Sequence, residues 1–273
     1  MTRNEQRGAG SGSTESGSAI VEVISSRGGA WRRLVLGGGR GNLLSLDLVR
    51  ACGEMLHQLE SEPGIKWLTI EGAGGEFSYG ARVHEHTPER MPTVLPEAQR
   101  LIKRLLAFPA PTAALVEGRC LGGGFELALS CDDILATDSA EFGFPEIRLA
   151  GFPPAGAALL PLRVGASRAT RAIVTGQIQN ARYWHDAGLL SMVAPQSSLI
   201  EAAAQWFDTQ LAPHSAVGLA HATAAARLTL RAQAEPALDR AERDYLSGVL
   251  KTRDAVEGVT AFLEKRPPRW EHK

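Results

Sequence analysis

The sequence is poor in cysteine and in long apolar runs, and its charges nearly cancel. Three cysteines, Cys52, Cys120 and Cys131, form neither a paired disulfide framework nor a Cys-x-x-Cys metal spacing, so we expect a reducing, cytoplasmic location. The densest apolar window, residues 155–162, contains a proline and is far shorter than the roughly 18 residues of a membrane-spanning helix, which argues against a membrane protein. With 29 Lys plus Arg against 30 Asp plus Glu, the formal net charge of −1 argues against a general nucleic-acid binder.

The remaining composition is that of a folded chain. Apolar residues make up 44% of the 273 residues and charged residues 22%, which gives no support to disordered, collagen-like or coiled-coil classes. Residues 1–18 are rich in Gly, Ser and charge without an apolar stretch, so we expect a disordered lead-in or cloning remnant rather than a signal peptide. Beyond it we expect an α/β core over residues 19–200 and a helical region over residues 201–273.

Strand and helix patterns alternate along the first half of the chain, which predicts an α/β fold. The runs that predict strands are residues 19–24, 31–36, 66–71, 112–116 and 133–136. The patterns that predict helices are residues 45–60, 96–108 and 122–131. After about residue 153 the sequence becomes alanine-rich, and helices are predicted at residues 197–211 (with Ser197 as N-cap), 214–230 and 235–250.

The most informative stretch is residues 120–132, Cys-Leu-Gly-Gly-Gly-Phe-Glu-Leu-Ala-Leu-Ser-Cys-Asp. Three glycines follow a strand and open a helix, so backbone N–H groups without helical acceptors are exposed there to a negatively charged ligand atom. Glu126 lies about one turn further on. Glycines at such a turn also permit tight helix-sheet packing, and this stretch taken alone favours that interpretation.

Two further stretches carry candidate groups. Glu146 follows Phe-Gly-Phe-Pro in a partly apolar turn, and two carboxyl groups near one site tend to have separated pKa values. Residues 76–82, Glu-Phe-Ser-Tyr-Gly-Ala-Arg, offer a glycine-flanked backbone amide at Ala81. Taken singly, Glu146 fits an ordinary surface loop better, because residue spacing does not show that Glu126 and Glu146 meet. Residues 76–82 taken alone are a weak signal that fits an ordinary glycine-bearing loop.

Together, the three stretches resemble the crotonase (enoyl-CoA hydratase/isomerase) superfamily, and the resemblance spans roughly residues 19–270. It implies that the N–H groups of Ala81 and Gly123 form an oxyanion hole for a coenzyme A thioester. The two glutamates of hydratases in this family fall on Glu126 and Glu146, with the family's spacing of 20 residues. Later motifs also match, namely Thr175-Gly176, residues 186–189 and residues 257–266.

The resemblance implies a fold, an activity and an assembly. The expected fold is a crotonase-like spiral of strand-strand-helix units with a helical C-terminal trimerisation region, assembled as a homotrimer or a dimer of trimers. Because both glutamates are present, an acyl-CoA hydratase is favoured over an enoyl-CoA isomerase that uses Glu146 alone. Residues 77–96 further resemble the cyclohexa-1,5-diene-1-carbonyl-CoA hydratases, which implies a cyclic dienoyl substrate. No metal or separate cofactor is expected, since coenzyme A is part of the substrate.

The resemblance also assigns substrate contacts. Phe262 and Lys265 occupy positions that contact the adenine end of coenzyme A, usually from a neighbouring subunit. Tyr79, in place of a small residue, and Gly122 lie beside the thioester-binding loop. Arg40 is either a substitute for the missing phosphate-facing motif or a solvated loop arginine. These departures, with Arg82 in place of the usual aspartate, keep open a third alternative, a non-catalytic CoA-thioester binding protein.

Three other patterns indicate little. The His-x-His spacing of His84 and His86 lacks an evident third metal ligand, so an exposed loop is expected. The glycines at residues 37–41 lack the third glycine of a dinucleotide-binding turn, because position 42 is Asn. No Gly-x-Ser-x-Gly or Walker motif is present, which gives serine hydrolysis and nucleotide triphosphate chemistry no support.

Overall fold

The computed structural model describes residues 20–37, 39–195 and 198–273. The predicted lead-in, residues 1–18, and the predicted N-cap Ser197 lie outside the described residues. The strands are β1 (Ile20–Ser26), β2 (Trp31–Gly37), β3 (Trp67–Gly72), β4 (Thr112–Val116), β5 (Arg119–Leu121), β6 (Asp133–Thr137), β7 (Glu141–Gly143), β8 (Gln179–Asn180) and β9 (Met192–Ala194). The helices are α1 (Leu46–Glu60), α2 (Met91–Ala107), α3 (Gly123–Leu129), α4 (Pro154–Val164), α5 (Ala166–Thr175), α6 (Ala181–Asp186), α7 (Leu199–Gln210), α8 (Ala216–Ala226), α9 (Leu228–Ser247) and α10 (Arg253–Leu263).

Two sheets form the scaffold. The larger has the order β1-β2-β3-β4-β6-β9, in which only the β1–β2 pair is antiparallel. The smaller has the order β5-β7-β8. The chain twice forms a strand of the large sheet, then a strand of the small sheet, then a helix. These units are β4-β5-α3 and β6-β7-α4. Since strands follow chain order across the large sheet, the chain advances in one direction and forms the expected spiral of strand-strand-helix units.

Local sequence explains the elements that hold the site. The Ser45 hydroxyl caps α1 by accepting a hydrogen bond from Leu48 N, as expected for a serine before a helix. Helix α1 then buries residues at helical spacing, Leu48, Val49, Cys52, Leu56 and Leu59. Strands β3 and β4 are buried along almost their whole length, as is usual for parallel strands covered on both faces.

The core has a large cluster around the sheets and two smaller ones. The second cluster joins the large sheet to α7, where Trp31 and Trp67 pack against Phe207. The third contains Met91 and Leu95 of α2 with Tyr245 of α9. Because this cluster ties the helical C-terminal region to α2, it closes one side of the site described below.

Three sequence predictions need correction. Helix α2 begins at Met91, whereas the prediction began at residue 96, so Pro96 lies inside the helix. Proline lacks a backbone N–H and therefore removes one helical hydrogen bond. Burial of Met91, Val94 and Leu95 outweighs that loss. Helices were predicted at residues 214–230 and 235–250, with a gap between them, but the boundary between the two observed helices is at Arg227. Helix α9 is continuous through residues 231–234 and contains Pro236. The small sheet was not predicted, because its strands of two or three residues are too short to show a period.

Among the described helices, none is both long enough and apolar enough to cross a bilayer.

Candidate active site

A cavity of about 1020 Å³ lies where α2, α3, α9 and α10 meet the ends of the strands. The backbones of Ala81 and Gly123 and the side chains of Glu126 and Glu146 all line it. The structure therefore brings together three stretches whose spacing in the sequence gave no reason for them to meet. The wall formed by α2 is mostly apolar, with Met91, Val94, Leu95, Ala98 and Ile102.

The loop that presents Ala81 is fixed by hydrogen bonds from Asn42. The buried Asn42 Nδ2 donates to Ala73 O (2.8 Å) and Glu76 O (2.7 Å), while Asn42 O accepts from Ser78 Oγ (2.8 Å). These bonds hold the loop before Ala81 in one conformation. Sequence reasoning used Asn42 only to exclude a dinucleotide turn and missed this role.

The Ala81 N–H faces the cavity as a result of a short parallel bridge with Leu44. Leu44 N donates to Gly80 O (2.9 Å) and Arg82 N donates to Leu44 O (3.3 Å). Both bonds are made by the residues that flank Ala81, namely Gly80 and Arg82. The N–H of Ala81 itself therefore points away from Leu44 and toward the cavity. Gly80 adopts φ +95°, and a Cβ there would lie 2.8 Å from Leu121 O, so only glycine fits.

Gly122 and Gly123 bring the second amide to the same place. Gly122 has φ 50° and ψ −126°, outside the regions open to other residues. Gly123 is the first residue of α3, so its N–H has no acceptor within the helix. A Cβ on Gly123 would lie 3.5 Å from Ala81 N, which shows how closely the two backbone segments approach. The arrangement provides two adjacent N–H donors suited to one oxygen that gains negative charge.

Glu126 is a half-buried residue whose carboxyl group is held by the first turn of α4. Its Oε1 accepts from Ala155 N (2.7 Å) and Gly156 N (2.9 Å). Burial raises the pKa of Glu126 to about 7, although the two N–H groups act in the opposite direction by stabilising the carboxylate. Glu126 therefore keeps its proton to a higher pH than an exposed glutamate does.

Glu146 lies on a short 3₁₀ helix, Pro145–Leu149, that Ala150 ends in the left-handed conformation. Its Oε1 is so near Gly122 that a Cβ on that glycine would lie 2.6 Å away. Its Oε2 is buried and has no hydrogen-bond partner among the described residues. Burial, and then the negative charge of Glu126, raise the pKa of Glu146 well above its ordinary value. The two carboxyl groups thus sense each other across one cavity.

The other predicted contact residues divide into two groups. Tyr79, Gly122 and Phe262 line the cavity, and Tyr79 Oη donates to Glu76 Oε1 (3.0 Å). Phe262 lines the cavity from α10 of the same chain, and a contribution from a neighbouring subunit, the family's usual arrangement, stays a prediction. Arg40 and Lys265 do not line the cavity in the described part of the single chain, so their roles remain predictions.

Sequence reasoning missed Tyr245 and His86 as cavity residues. The sequence predicted only a helix over residues 235–250, and nothing local indicated that α9 brings Tyr245 to Glu146. His86 was expected in an exposed loop, but it is half-buried, with its Nδ1 bonded to Arg82 O (3.0 Å). Gln99 of α2 also lines the cavity, with both amide atoms buried and without a partner among the described residues.

Known proteins with similar sequences are hydratases of coenzyme A thioesters. The chain is 34% identical to cyclohexa-1,5-dienecarbonyl-CoA hydratase of Thauera aromatica, over 94% of this chain and 98% of that protein. It is 35% identical to 2,3-dehydroadipyl-CoA hydratase of Escherichia coli K12, over 83% of this chain and 89% of that protein.

Solved structures show the same fold. An enoyl-CoA hydratase from Mycobacterium avium subsp. paratuberculosis K-10 superimposes with a TM-score of 0.80 at 29% identity, covering 92% of this chain and 98% of that chain. The family profile described as enoyl-CoA hydratase/isomerase matches residues 39–273. With the crotonase-type fold and the match over most of its length, this chain belongs to the enoyl-CoA hydratase/isomerase family.

Proposed function

We propose that the protein is an acyl-CoA hydratase that adds water to the double bond of an α,β-unsaturated coenzyme A thioester. The observation that carries the proposal is the meeting of two main-chain N–H donors and two buried carboxyl groups in one cavity. Water addition needs these parts: donors for the thioester oxygen as it becomes an enolate, a base for the water, and an acid for the carbon.

The N–H groups of Ala81 and Gly123 bind the thioester oxygen. They are held in place by the Leu44 bridge and by α3, so they need no reorganisation when negative charge develops. Losing one such donor typically costs about 3 kcal/mol of transition-state stabilisation. Because a main-chain donor cannot be removed by a side-chain substitution, Gly80 and Gly122 are the positions through which the pair can be disturbed.

The surroundings of the two carboxyl groups support Glu126 as the base and Glu146 as the acid. The N–H groups of Ala155 and Gly156 stabilise the carboxylate of Glu126, so this group is the base that takes a proton from the attacking water. Glu146 has no such donor on Oε2 and its pKa is raised further, so it is the acid that delivers a proton to carbon. With a conjugated diene, that proton can go to the vinylogous carbon.

The substrate is an unsaturated acyl thioester with a compact apolar acyl group, and a cyclic dienoyl group is our specific proposal. The apolar face of α2 supports an apolar acyl group, and the relative named for cyclohexa-1,5-dienecarbonyl-CoA supports the ring. The thioester itself acidifies the neighbouring carbon, so the proposed reaction calls for no further cofactor. Phe262 and Tyr79, together with Arg40 and Lys265, are assigned to the coenzyme A part.

The test is steady-state hydration of crotonyl-CoA and of cyclohexa-1,5-diene-1-carbonyl-CoA by the wild type and by Glu126→Gln and Glu146→Gln. We expect kcat to fall by about 10²- to 10⁴-fold in each variant, the usual contribution of a general acid or base. Glu54→Gln, an exposed position on α1, is the matched control and keeps the wild-type rate. Undiminished turnover in both cavity variants contradicts the assignment.

Reaction in ¹⁸O water separates hydration from double-bond migration. A hydratase incorporates one solvent oxygen into the product, and mass spectrometry detects it. An isomerase that uses Glu146 alone incorporates none and tolerates Glu126→Gln. Calorimetric binding of the thioester without any conversion identifies a non-catalytic binding protein.

A further inference from the structure

A second, much smaller cavity lies behind Glu146. Its volume is about 20 Å³, enough for one water molecule, which needs about 10–15 Å³. Three polar side chains line it, those of Glu146, Tyr245 and His86. The rest of the wall is apolar and comes mainly from the 3₁₀ helix and α10, with Leu149, Leu250, Ala255, Val256 and Val259.

Each of the three polar groups has hydrogen-bonding capacity that the described residues leave unused. Glu146 Oε2 is buried without a partner, and Tyr245 Oη hydrogen-bonds no other described residue. His86 Nδ1 lies 3.0 Å from Arg82 O, and since a carbonyl can only accept, this nitrogen carries the proton. The other ring nitrogen, Nε2, is therefore the acceptor in the neutral ring. A buried water typically makes about three hydrogen bonds, which is the number these groups can provide.

We propose that this cavity binds one water molecule that links Glu146 to Tyr245 and His86, and that His86 returns through it the proton that Glu146 gives to carbon. The inference rests on the proposed function for its chemical role. In hydration the water O–H bond breaks, its proton goes to Glu126, the C–O bond forms, and the Glu146 proton goes to carbon. Each turnover therefore leaves Glu126 protonated and Glu146 ionised, and both must be reset.

The large cavity does not provide the return path while it is filled. In the proposed cycle the acyl group lies in the large cavity beside Glu146, which leaves the small cavity as the route by which a proton returns while the product is bound. His86 lines both cavities. It takes up a proton on Nε2 from solvent while the large cavity is open between turnovers, and once Glu146 has ionised, Nε2–H passes that proton through the bound water to Glu146 Oε2, which restores the neutral imidazole and the carboxylic acid. Glu126 releases its own proton to solvent when the product leaves. Each turnover therefore releases one proton to solvent and takes one up.

The surroundings of His86 suit a carrier that is neutral at rest. The groups that act on it are the backbone carbonyl of Arg82 and the carboxylate of Glu85 on its own loop, and Glu146 shares the small cavity with it. The α10 residues that line this cavity, Ala255, Val256 and Val259, are apolar. Burial lowers the pKa of His86, against smaller opposing effects of Arg82 O and Glu85. A neutral imidazole accepts and releases a proton within one cycle, whereas a permanently charged one cannot.

The kinetic test uses His86→Gln, which retains an N–H donor for Arg82 O but cannot carry a proton. In dilute buffer we expect kcat to fall by about tenfold and KM to stay within about twofold, because substrate contacts remain. Added imidazole restores the rate by carrying the proton itself. His57→Ala, exposed on α1, is the control for effects of losing a histidine, and it shows neither the loss nor the rescue.

Two kinetic results overturn the proposal. One is an unchanged kcat in His86→Gln at every imidazole concentration. The other is a loss of kcat that imidazole does not restore, which indicates a structural role. In either case the requirement for Glu126 and Glu146 stands, so the proposed function survives.

A crystal structure of the wild type at high resolution tests the water site without relying on activity. We expect one ordered water within hydrogen-bonding distance of Glu146 Oε2, Tyr245 Oη and His86 Nε2. Tyr245→Phe, which keeps the ring that packs on Phe152, removes one of its three partners, so we expect a weaker or missing water there. A dry cavity in the wild type overturns the proposal. If the wild type hydrates no enoyl thioester, the proposed function fails while the water site is still tested.

Discussion

Glu126 and Glu146 are chemically identical side chains whose surroundings make them different acids. Backbone N–H groups stabilise the carboxylate of Glu126, while Glu146 lies next to that charge with one oxygen unpartnered. The pair therefore loses its first proton mainly from Glu126, and a second ionisation is strongly opposed. Water addition requires this state, in which Glu126 is ionised and can act as the base while Glu146 is protonated and can act as the acid.

The expected pH dependence follows from this order. The base must be ionised, so kcat/KM rises as the pH increases through about 7, the pKa of Glu126. The acid must be protonated, so kcat/KM falls at higher pH as Glu146 ionises. The residual activity of Glu126→Gln lacks the rising limb, and that of Glu146→Gln lacks the falling one. A rate that does not change with pH on either side of 7 contradicts the assignment.

Position 122 accepts only glycine, for two reasons. Its φ of +50° strains any other residue, and a Cβ would lie 2.6 Å from Glu146 Oε1. We expect Gly122→Ala to lower kcat by at least about 10²-fold, because it displaces both the carboxyl group and the adjacent Gly123 N–H. Circular dichroism and turnover of crotonyl-CoA measure fold and activity separately.

The matched control is Gly53→Ala in α1. A Cβ at Gly53 meets nothing within 4 Å, so alanine is accommodated there without a clash. Since alanine is the better helix former, we expect stability to rise by about 0.5–1 kcal/mol with activity unchanged. Equal losses of activity in both variants indicate a general effect of added methyl groups rather than a specific one at Glu146.

Helices and strands could be predicted from the sequence where their own residues decide them. Helix α1 has a serine cap, a buried stripe and a Pro-Gly end, and the predicted and observed ranges agree within one residue. The strands of the large sheet likewise carry enough β-rich sequence to be recognised. Strands β5, β7 and β8 have two or three residues, and they form because the spiral brings them side by side. Such elements are fixed by tertiary contacts, which a local pattern does not contain.

The division between α8 and α9 is an example of tertiary control over an element. Arg227, almost fully buried, binds Asp132 through Nε and Oδ1 (2.7 Å), and its Nη2 donates to Ala110 O (3.0 Å). Its Nη1 donates to Phe108 O. The guanidinium thus pins the helix junction to the loop before β4 and to the end of α3. The sequence shows only an arginine between two alanine-rich stretches.

We expect Arg227→Met to destabilise the protein by about 3 kcal/mol, because it removes the charged partner of Asp132 and the donor to two carbonyl groups. Urea unfolding monitored by tryptophan fluorescence measures the change. The control Arg182→Met breaks the exposed pair with Asp186 and shifts stability by less than about 0.5 kcal/mol. The double variant Arg227→Met with Asp132→Asn should recover part of the loss, since no buried charge remains unpaired. A loss at Arg227 no larger than that at Arg182 contradicts this account.

At the scale of the molecule, the site depends on segments that are far apart in sequence. Residues 76–82, 120–126 and 146 were recognised together only through the family resemblance, because their own spacing gave no reason for them to converge. Parallel strands in chain order explain the convergence, since their carboxyl ends lie at one edge of the sheet. Tyr245 reaches the same cavity from α9, and no sequence signal short of the complete fold indicates that contact.

The surface of the C-terminal helices includes an exposed apolar helix, which is the basis of an expectation about assembly. Helix α8 has the sequence Ala-Val-Gly-Leu-Ala-His-Ala-Thr-Ala-Ala-Ala and no buried residue. Val217 at its start is 67% exposed, and Leu228 just beyond its end is 69% exposed. A helix that is apolar on all sides is ordinarily covered, so we expect other subunits to cover α8 in a homotrimer or a dimer of trimers.

Sedimentation equilibrium tests this expectation with Val217→Glu and Leu228→Glu. A charge buried between subunits without a partner is costly, so we expect each variant to shift the protein from trimer or hexamer toward monomer. Gln205→Glu, exposed on α7, adds the same charge elsewhere and leaves the assembly unchanged. Because Phe262 lines the cavity from its own chain, the monomeric variants should retain hydratase activity. A wild type that sediments as a monomer contradicts the assembly, and a monomer without activity indicates that a second subunit completes the site.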